Sequence, residues 1–490
     1  MAAVFNSYDV GEDDVIAVLL RNDVTYLEVI EACRYVGATY VTLNWHAAKS
    51  EIEHILQDSQ ANLLIGHSDL VRIFAETDVH QLSNNIPVLA ISTPAEICRA
   101  YNVDPKTSDR QTDLQTLINK TSPINTPPLK FRGMFSYTSG STGRPKGIKR
   151  IRAPDSPDPF EVYAGLGKSM LGLSPGDRFY VAAPIYHSAP NVLSLFCLAC
   201  GDVDIFLKSK FDPEGFLADV QRYAITHCYI VPTMMIRLLK LPADIRRKYN
   251  TSTLRYAVSS GSAWPADVKA AMIDWFGPIF YESYGASEIG FMTLISSAEA
   301  LQKPGSVGKV LPGGSIKILD DEHCEQAASE VGSIYIHLPI FGEFSYTNDE
   351  GNLQGQRHNE YSSVGDIGYL DADGYLYISD RKKDMIISGG ANIFPAEIEA
   401  ALIEMPQILD CAIFAAPHPE FGEMVVAAVS CSEGNILNLE QVCAFLDTKI
   451  ARYKLPRKLD IHQTLPREDS GKIFKQRLRE PYWRDVQSKI

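Results

Sequence analysis

Eleven residues, Tyr137 to Gly147, concentrate the groups that hold a polyphosphate. Thr138, Ser139, Ser141 and Thr142 supply hydroxyl donors. Gly140, Gly143 and Gly147 let backbone N–H groups take positive φ and close in on an anion, and Lys146 adds a mobile point charge. No G-x-x-x-x-G-K-[ST] can be read through these glycines, so the stretch is not a Walker loop. By composition alone it also reads as a plain Ser/Gly surface turn.

Three further stretches carry chemistry-bearing residues downstream. The first is Ser260-Gly-Ser-Ala263 together with Tyr281-Glu-Ser-Tyr-Gly-Ala-Ser-Glu288. The second is Gly365-Asp366 with Tyr377-Ile-Ser-Asp-Arg-Lys-Lys-Asp-Met-Ile386, and the third is Leu465-Pro-Arg-Glu-Asp-Ser-Gly-Lys-Ile473. The bland alternatives are an exposed loop acid for Glu288 and a solvated turn for the charged run after Asp380. Arg467, Lys475, Arg477 and Arg479 read as a solvated basic face.

With these residues in place, the chain resembles the adenylate-forming superfamily of acyl-CoA synthetases, luciferases and peptide-synthetase adenylation domains. The resemblance runs from Tyr137 to Lys472, most of the chain, with four motifs in the family's order. It implies that Thr138 to Gly143 and Lys146 cradle the phosphates of ATP. Gly261, Ser262 and Ala263 would flank the adenine. Glu282, Ser283, Tyr284, Gly285 and Ala286 would lie along the nucleotide, and Ser287, where Thr is commoner in the family, would offer a hydroxyl to phosphate. Glu288 would hold Mg²⁺, a hard cation suited to carboxylate and phosphate oxygens. Asp366 would accept both ribose hydroxyls, as an ionised carboxylate only accepts. Ile378 would lie against the adenine, Arg381 would contact the ribose and phosphate side, and Lys383 would sit at the interdomain hinge. Lys472 would be the catalytic lysine. Gly389 and Gly390, in the turn before a helix opened by Pro395, would pass close to the pantetheine arm of coenzyme A. His187, in Ile185-Tyr-His-Ser-Ala-Pro190, takes the place where the family borders its acyl pocket, although a lone His is equally a structural residue. Val192, Trp264, Ile289, Gly290 and Phe291 are candidate pocket walls.

The totals agree with such an enzyme. The 490 residues call for two or three domains. Net charge is −14, unsuited to nucleic acid or an anionic membrane, so the cations for ATP must be local. No run reaches about 18 apolar residues, and no signal peptide is read at the start. The nine cysteines include one C-x-x-C, Cys197 to Cys200, in an apolar run. That reads as buried free thiols, and so as a reducing cytoplasm.

The elements that must position these groups follow from periodicity. Asp14 to Leu20, Val41 to Asn44 and Asn62 to Ile65 read as strands; Thr25 to Val36, ended by Gly37, and Ser50 to Asp58 read as helices. Residues 104–130 read as a surface connection. Met134 to Tyr137 is the strand that delivers the phosphate loop. Tyr180 to Pro184, Tyr229 to Pro232 and Tyr256 to Ser259 are further strands. The chain starts almost at its first strand, where the family usually has a helical segment. The alternation implies an α/β fold: a large N-terminal domain of doubly wound sheets over residues 1–382, plus a small, mobile α+β C-terminal domain over 383–490.

The resemblance implies an AMP-forming acid–CoA ligase for a hydrophobic acid, fatty, aromatic or otherwise bulky. Its partners would be the acid, ATP, Mg²⁺ and CoA, with a homodimer admitted but unspecified. Three alternatives share the same motifs: an enzyme that loads a carrier protein, a luciferase-like oxygenase, and a silent ATP-binding module.

Overall fold

The computed structural model describes residues 1–75, 86–104, 112–139, 145–151, 155–262, 264–347, 356–432, 437–467 and 473–487. Gly140, Ser141, Thr142, Gly143, Ala263 and Lys472 lie outside them. The chain divides into two compact units: residues 1–261, 271–292 and 338–355 form one, and 262–270, 293–337 and 356–490 the other.

The first unit contains two sheets. In one, the parallel strands Met134–Ser139, Thr39–Thr42, Val15–Leu19, Leu63–His67, Val88–Ile91 and Thr112–Asp113 lie side by side. Pro145–Ile151 and Glu343–Tyr346 extend it antiparallel beyond Met134–Ser139. The central strands are buried along their whole length, and Val15–Leu19 is accordingly an unbroken apolar run. Alternate residues Val15, Ala17 and Leu19 pack with Ile52, Ile55 and Leu56 of the helix Lys49–Asp58 and with Val71 and Phe74. The second sheet is parallel, in the order Asp204–Leu207, Arg178–Val181, His227–Tyr229, Tyr256–Ser259, Phe280–Glu282. In such sheets, ligands bind beyond the carboxyl ends of the strands.

The second unit opens with an antiparallel sheet in which Asp366–Leu370 lies between Gly332–His337 and Leu376–Arg381. Its C-terminal part pairs the long strands Ile408–His418 and Gly422–Cys431, with Lys458–His462 parallel to the latter. Ile413 and Ala415 face a core shared with Ile398 and Leu402 of the helix Pro395–Leu402. Ala412, Phe414 and Ala416 face the opposite core, with Leu465 and Leu478. Two apolar faces explain why this strand reads as continuous rather than alternating hydrophobicity. No helix among the described residues is long and apolar enough to cross a membrane.

Several expectations are corrected. A helix, Ala2–Ser7, precedes the first strand. Residues 104–130 are not all connection: Leu114–Lys120 is helical, opened by Asp113 accepting from the Thr116 N–H. The strand at Tyr229 stops there, because Pro232, which cannot donate to a ladder, starts the helix Pro232–Leu239. The strand read as Tyr180 to Pro184 is Arg178–Val181.

Gly368 is required by close approach. A Cβ there would lie 2.1 Å from the Tyr377 carbonyl oxygen of the neighbouring strand, beside the irregularity between Ile367 and Gly368. Gly368→Ala is expected to destabilise by about 1–3 kcal/mol, the usual cost of overpacking, read as a lower denaturant midpoint. An unchanged midpoint would contradict this packing.

Candidate active site

The second sheet brings three separate stretches to the ends of its strands. His187 follows Arg178–Val181, Ser260 and Gly261 follow Tyr256–Ser259, and Tyr284 follows Phe280–Glu282. Glu282 and Ser283 are buried, and Tyr284 to Glu288 are half-buried. Gly285–Ala286 and Gly290–Phe291 form a small antiparallel hairpin with Ser287, Glu288 and Ile289 at its turn. A dedicated hairpin therefore presents Ser287 and Glu288 together.

The stretch Tyr137 to Gly147 has a defined base. Met134–Ser139 and Pro145–Ile151 pair antiparallel on either side of it, with Thr138 opposite Lys146 and Ser139 opposite Pro145. The Tyr137 phenol donates to Asp58 at 2.7 Å, and Thr347 donates to the same carboxylate. Burial and the Asp58 carboxylate push the Tyr137 phenol far above its usual pKa, so it stays a donor.

Hydroxyls join this base to the hairpin. Ser188 Oγ donates to Ser136 Oγ at 3.2 Å and lies 2.7 Å from Ser287 Oγ. A hydroxyl has one proton to give, so the direction is Ser287 to Ser188 to Ser136. Arg150 donates from Nη2 to the Ser287 carbonyl at 2.9 Å. Lys146 and Arg150 are four apart on one strand and so share a face. On the adjacent strand, Tyr346 lies under the Lys146 ammonium, 5.6 Å from ring centre to Nζ, and its phenol donates to Glu288 Oε1 at 3.4 Å. Lys146, Arg150, Ser287 and Glu288 thus converge within one unit. Sequence reasoning missed Ser136, Arg150, Ser188 and Tyr346. The only available signal was the spacing of Lys146 and Arg150, four apart on one strand.

His187 caps the helix Ser188–Cys200, its carbonyl accepting from Asn191 N–H at 3.2 Å, and its ring lies against Tyr186 at 4.2 Å between centroids. Of the candidate walls in this unit, Ile289 and Phe291 are buried, and Val192 and Gly290 are half-buried.

In the other unit, Asp366 and Arg381 face each other across paired strands. Arg381 Nε is 3.3 Å from Asp366 Oδ1, with Asp366 only 5% exposed. Ile378 is half-buried on the same strand as Arg381, opposite Gly368. Lys383 is exposed in the turn that follows. Ser262 is half-buried, and Trp264 is buried with the Lys269 ammonium 5.1 Å from its ring centre.

Gly389 and Gly390 do not lead straight into the helix. They form the two-residue turn of a hairpin, with Ser388 paired to Ala391 and φ values of 58° and 82°. Positive φ at both positions is what such a turn requires. The exposed tip of this hairpin is bare backbone.

Lys475 corrects the solvated-face reading, since its ammonium lies 2.7 Å from Glu399. Arg467 is exposed though paired with Asp410, Arg477 is exposed, and Arg479 is half-buried, 3.7 Å from Glu423.

Comparison with known proteins places this arrangement. The model of the AMP-binding enzyme family matches residues 1–342, and that of the AMP-binding enzyme C-terminal domain matches residues 397–472. A feruloyl-CoA synthase of Amycolatopsis sp is 30% identical, over 95% of this chain and 88% of that protein. A 2-succinylbenzoate–CoA ligase of Bacillus velezensis is also 30% identical, over 98% of this chain and 90% of its own length. Among solved structures, ATP-bound MatB from Rhodopseudomonas palustris superposes with a TM-score of 0.84 at 25% identity, over 99% of this chain and 92% of that one. The sheets, the two-part organisation and these matches together make the chain a member of the AMP-binding enzyme family, of the AMP-forming acyl-CoA synthetase kind that joins a carboxylic acid to CoA at the expense of ATP.

Proposed function

We infer that the acid is aromatic or otherwise bulky and apolar, and that the residues above divide the two half-reactions between them. The observation that carries the acid assignment is that Ile289 and Phe291 of the Ser287–Glu288 hairpin are apolar and buried, with apolar Val192 on the helix whose first residue, Ser188, meets Ser287. The aromatic acids in the names of the two relatives support it. Burying an apolar group of side-chain size gives about 1.5–3 kcal/mol, or roughly 10- to 100-fold. Aryl or fatty acids should therefore exceed malonate and glycine by at least about tenfold in kcat/KM for ATP–pyrophosphate exchange. A preference for malonate or glycine would overturn the assignment.

In the first half-reaction a carboxylate oxygen attacks the α-phosphorus of ATP, and the bond to pyrophosphate breaks. Thr138, Ser139, the loop from Gly140 to Gly143, and Lys146 bind the phosphates. Ser287 joins them by swinging its O–H away from Ser188. Glu288 is the residue for Mg²⁺. It offers one half-buried carboxylate, whose Oε1 accepts the Tyr346 phenol at 3.4 Å. That fits an ion held by one carboxylate plus substrate phosphates. When bound, Mg²⁺ neutralises phosphate charge.

Asp366 holds the ribose, with Arg381 on its phosphate side. Ile378 and the backbone from Gly261 to Ala263 border the adenine, along with Glu282 to Ala286. His187 borders the acyl group. Lys472 stabilises charge at the α-phosphate and carboxylate. In the second half-reaction the CoA thiol attacks the acyl carbon, the bond to AMP breaks and the thiol proton passes to water. Here the Gly389–Gly390 turn admits the pantetheine arm, because it has no side chains in the way. The functional boundary is drawn at 382/383, with Lys383 as the hinge. A reducing cytoplasm suits the nine free cysteines, and burial raises the thiol pKa of Cys33, Cys197 and Cys228 so that they stay unreactive.

A further inference from the structure

Two ion pairs flank the stretch of sequence that bears Lys472. Arg467, on its N-terminal side, grips Asp410 with two nitrogens, Nε at 2.8 Å and Nη2 on the other oxygen. Lys475, on its C-terminal side, places Nζ 2.7 Å from Glu399 Oε1, and the same oxygen accepts the Ile413 N–H at 2.7 Å. Asp410 and Ile413 are both on the strand Ile408–His418, so both feet stand on one strand, the second through the helix Pro395–Leu402 that carries Glu399. Between the feet, Arg467 and Ile473 form a bridge, and Phe474 N–H donates to the Pro466 carbonyl at 2.8 Å. Below them Leu465 and Leu478 are buried in one apolar core, against which Ile473 packs.

The Arg467–Asp410 pair is at the surface, whereas the Lys475–Glu399 pair is not freely solvated. The Lys475 and Glu399 side chains are 21% and 23% exposed. Burial works against the Lys475 ammonium, but Glu399 and Asp380 outweigh it and hold its pKa above the usual lysine value. Burial raises the Glu399 carboxyl, against the pull of Lys475 and the Ile413 N–H. A lysine held this way is charged and fixed, and serves as an anchor rather than a reactant.

We propose that Arg467–Asp410 and Lys475–Glu399 form a clamp that fixes the ends of the Lys472 segment on the strand Ile408–His418, making Lys475 and Glu399 positioning residues for the adenylation half-reaction. The proposal rests on Lys472 acting in that half-reaction. Misplacing a reacting group by about 1 Å can cost up to roughly 10²-fold. The thiolation half-reaction, which does not use Lys472, is insensitive to the clamp.

The test measures both half-reactions in the full-length enzyme: ATP–pyrophosphate exchange, and AMP release from supplied acyl-adenylate with CoA. Lys475→Met is expected to lower exchange kcat by about 10- to 100-fold, with thiolation nearly unchanged and Lys475→Arg restoring most of the loss. Glu399→Gln keeps an acceptor for the Ile413 N–H while removing the charge, and gives the same split if Lys475→Met does not fold. Equal losses in both half-reactions would overturn the clamp as a positioning device, and so would undiminished exchange in a folded Lys475→Met or Glu399→Gln. Lys472→Ala runs alongside: if it leaves exchange intact, the reading of Lys472 itself fails. If it abolishes exchange while Lys475→Met does not lower it, only the clamp fails.

Discussion

Lys472→Ala is expected to cut ATP–pyrophosphate exchange by about 10²–10³-fold while leaving thiolation of supplied acyl-adenylate largely intact. The magnitude is that of removing one pre-placed charge stabiliser from a site shielded from bulk water. The asymmetry follows from where charge changes. Adenylation brings a carboxylate against a phosphate, so two anions must be held together, and a cation between them lowers the barrier directly. Thioester formation expels AMP from a mixed anhydride and needs no cation at the carboxylate. The C-terminal family match runs to residue 472, so this lysine falls within the region shared with relatives. Equal loss in both half-reactions would contradict the assignment.

Asp366→Ala should raise the KM for ATP by about 10- to 100-fold, with little change in the KM for acid or CoA. Hydrogen bonds to a charged group contribute about 1.5–3 kcal/mol, and one such bond to ribose is worth roughly that range in affinity. Asp366 is nearly fully buried, and its oxygen faces Arg381 at 3.3 Å across the strand pair. The pairing orients the carboxylate. Arg381 is 40% exposed, so losing its partner costs little stability in water-screened surroundings, and the defect should appear in ATP binding rather than in folding. Asp366→Asn, which keeps one acceptor oxygen, should fall between. An unchanged KM for ATP in Asp366→Ala would remove this residue from the nucleotide site.

Much of the fold was legible because its central strands are buried on both faces and leave unbroken apolar runs, such as Val15–Leu19 and Tyr256–Ser259. Local signals worked as well: Gly37 ends the helix Val24–Val36 in the left-handed conformation, and Pro395 opens Pro395–Leu402. The hairpin at Gly389-Gly390 was read only as the turn before the Pro395 helix, although two adjacent glycines between short apolar segments are a hairpin signal. What could not be read are contacts made by ordinary residues brought together by topology. Ser188 meets Ser287 across 99 positions of sequence, and Arg150 reaches the Ser287 carbonyl across 137. Tyr346 reaches Lys146 only because Glu343–Tyr346 adds antiparallel to the edge of the first sheet. No motif announces a lone Ser or Tyr. Lys475 was misread for the same reason. Its basic neighbours suggest a solvated helix face, while its partner, Glu399, lies on a helix far upstream.

The measurement that bears most directly on the central claim is the fate of the acyl group when CoA is added. The purified enzyme would be given ATP, Mg²⁺ and an acid that supports pyrophosphate exchange. AMP and acyl-CoA would then be followed with and without CoA, with a phosphopantetheinyl carrier protein as the competing acceptor. An acyl-CoA ligase releases AMP and acyl-CoA in equal amounts, only when CoA is present. Exchange with no CoA-dependent turnover, and transfer to the carrier instead, would contradict it.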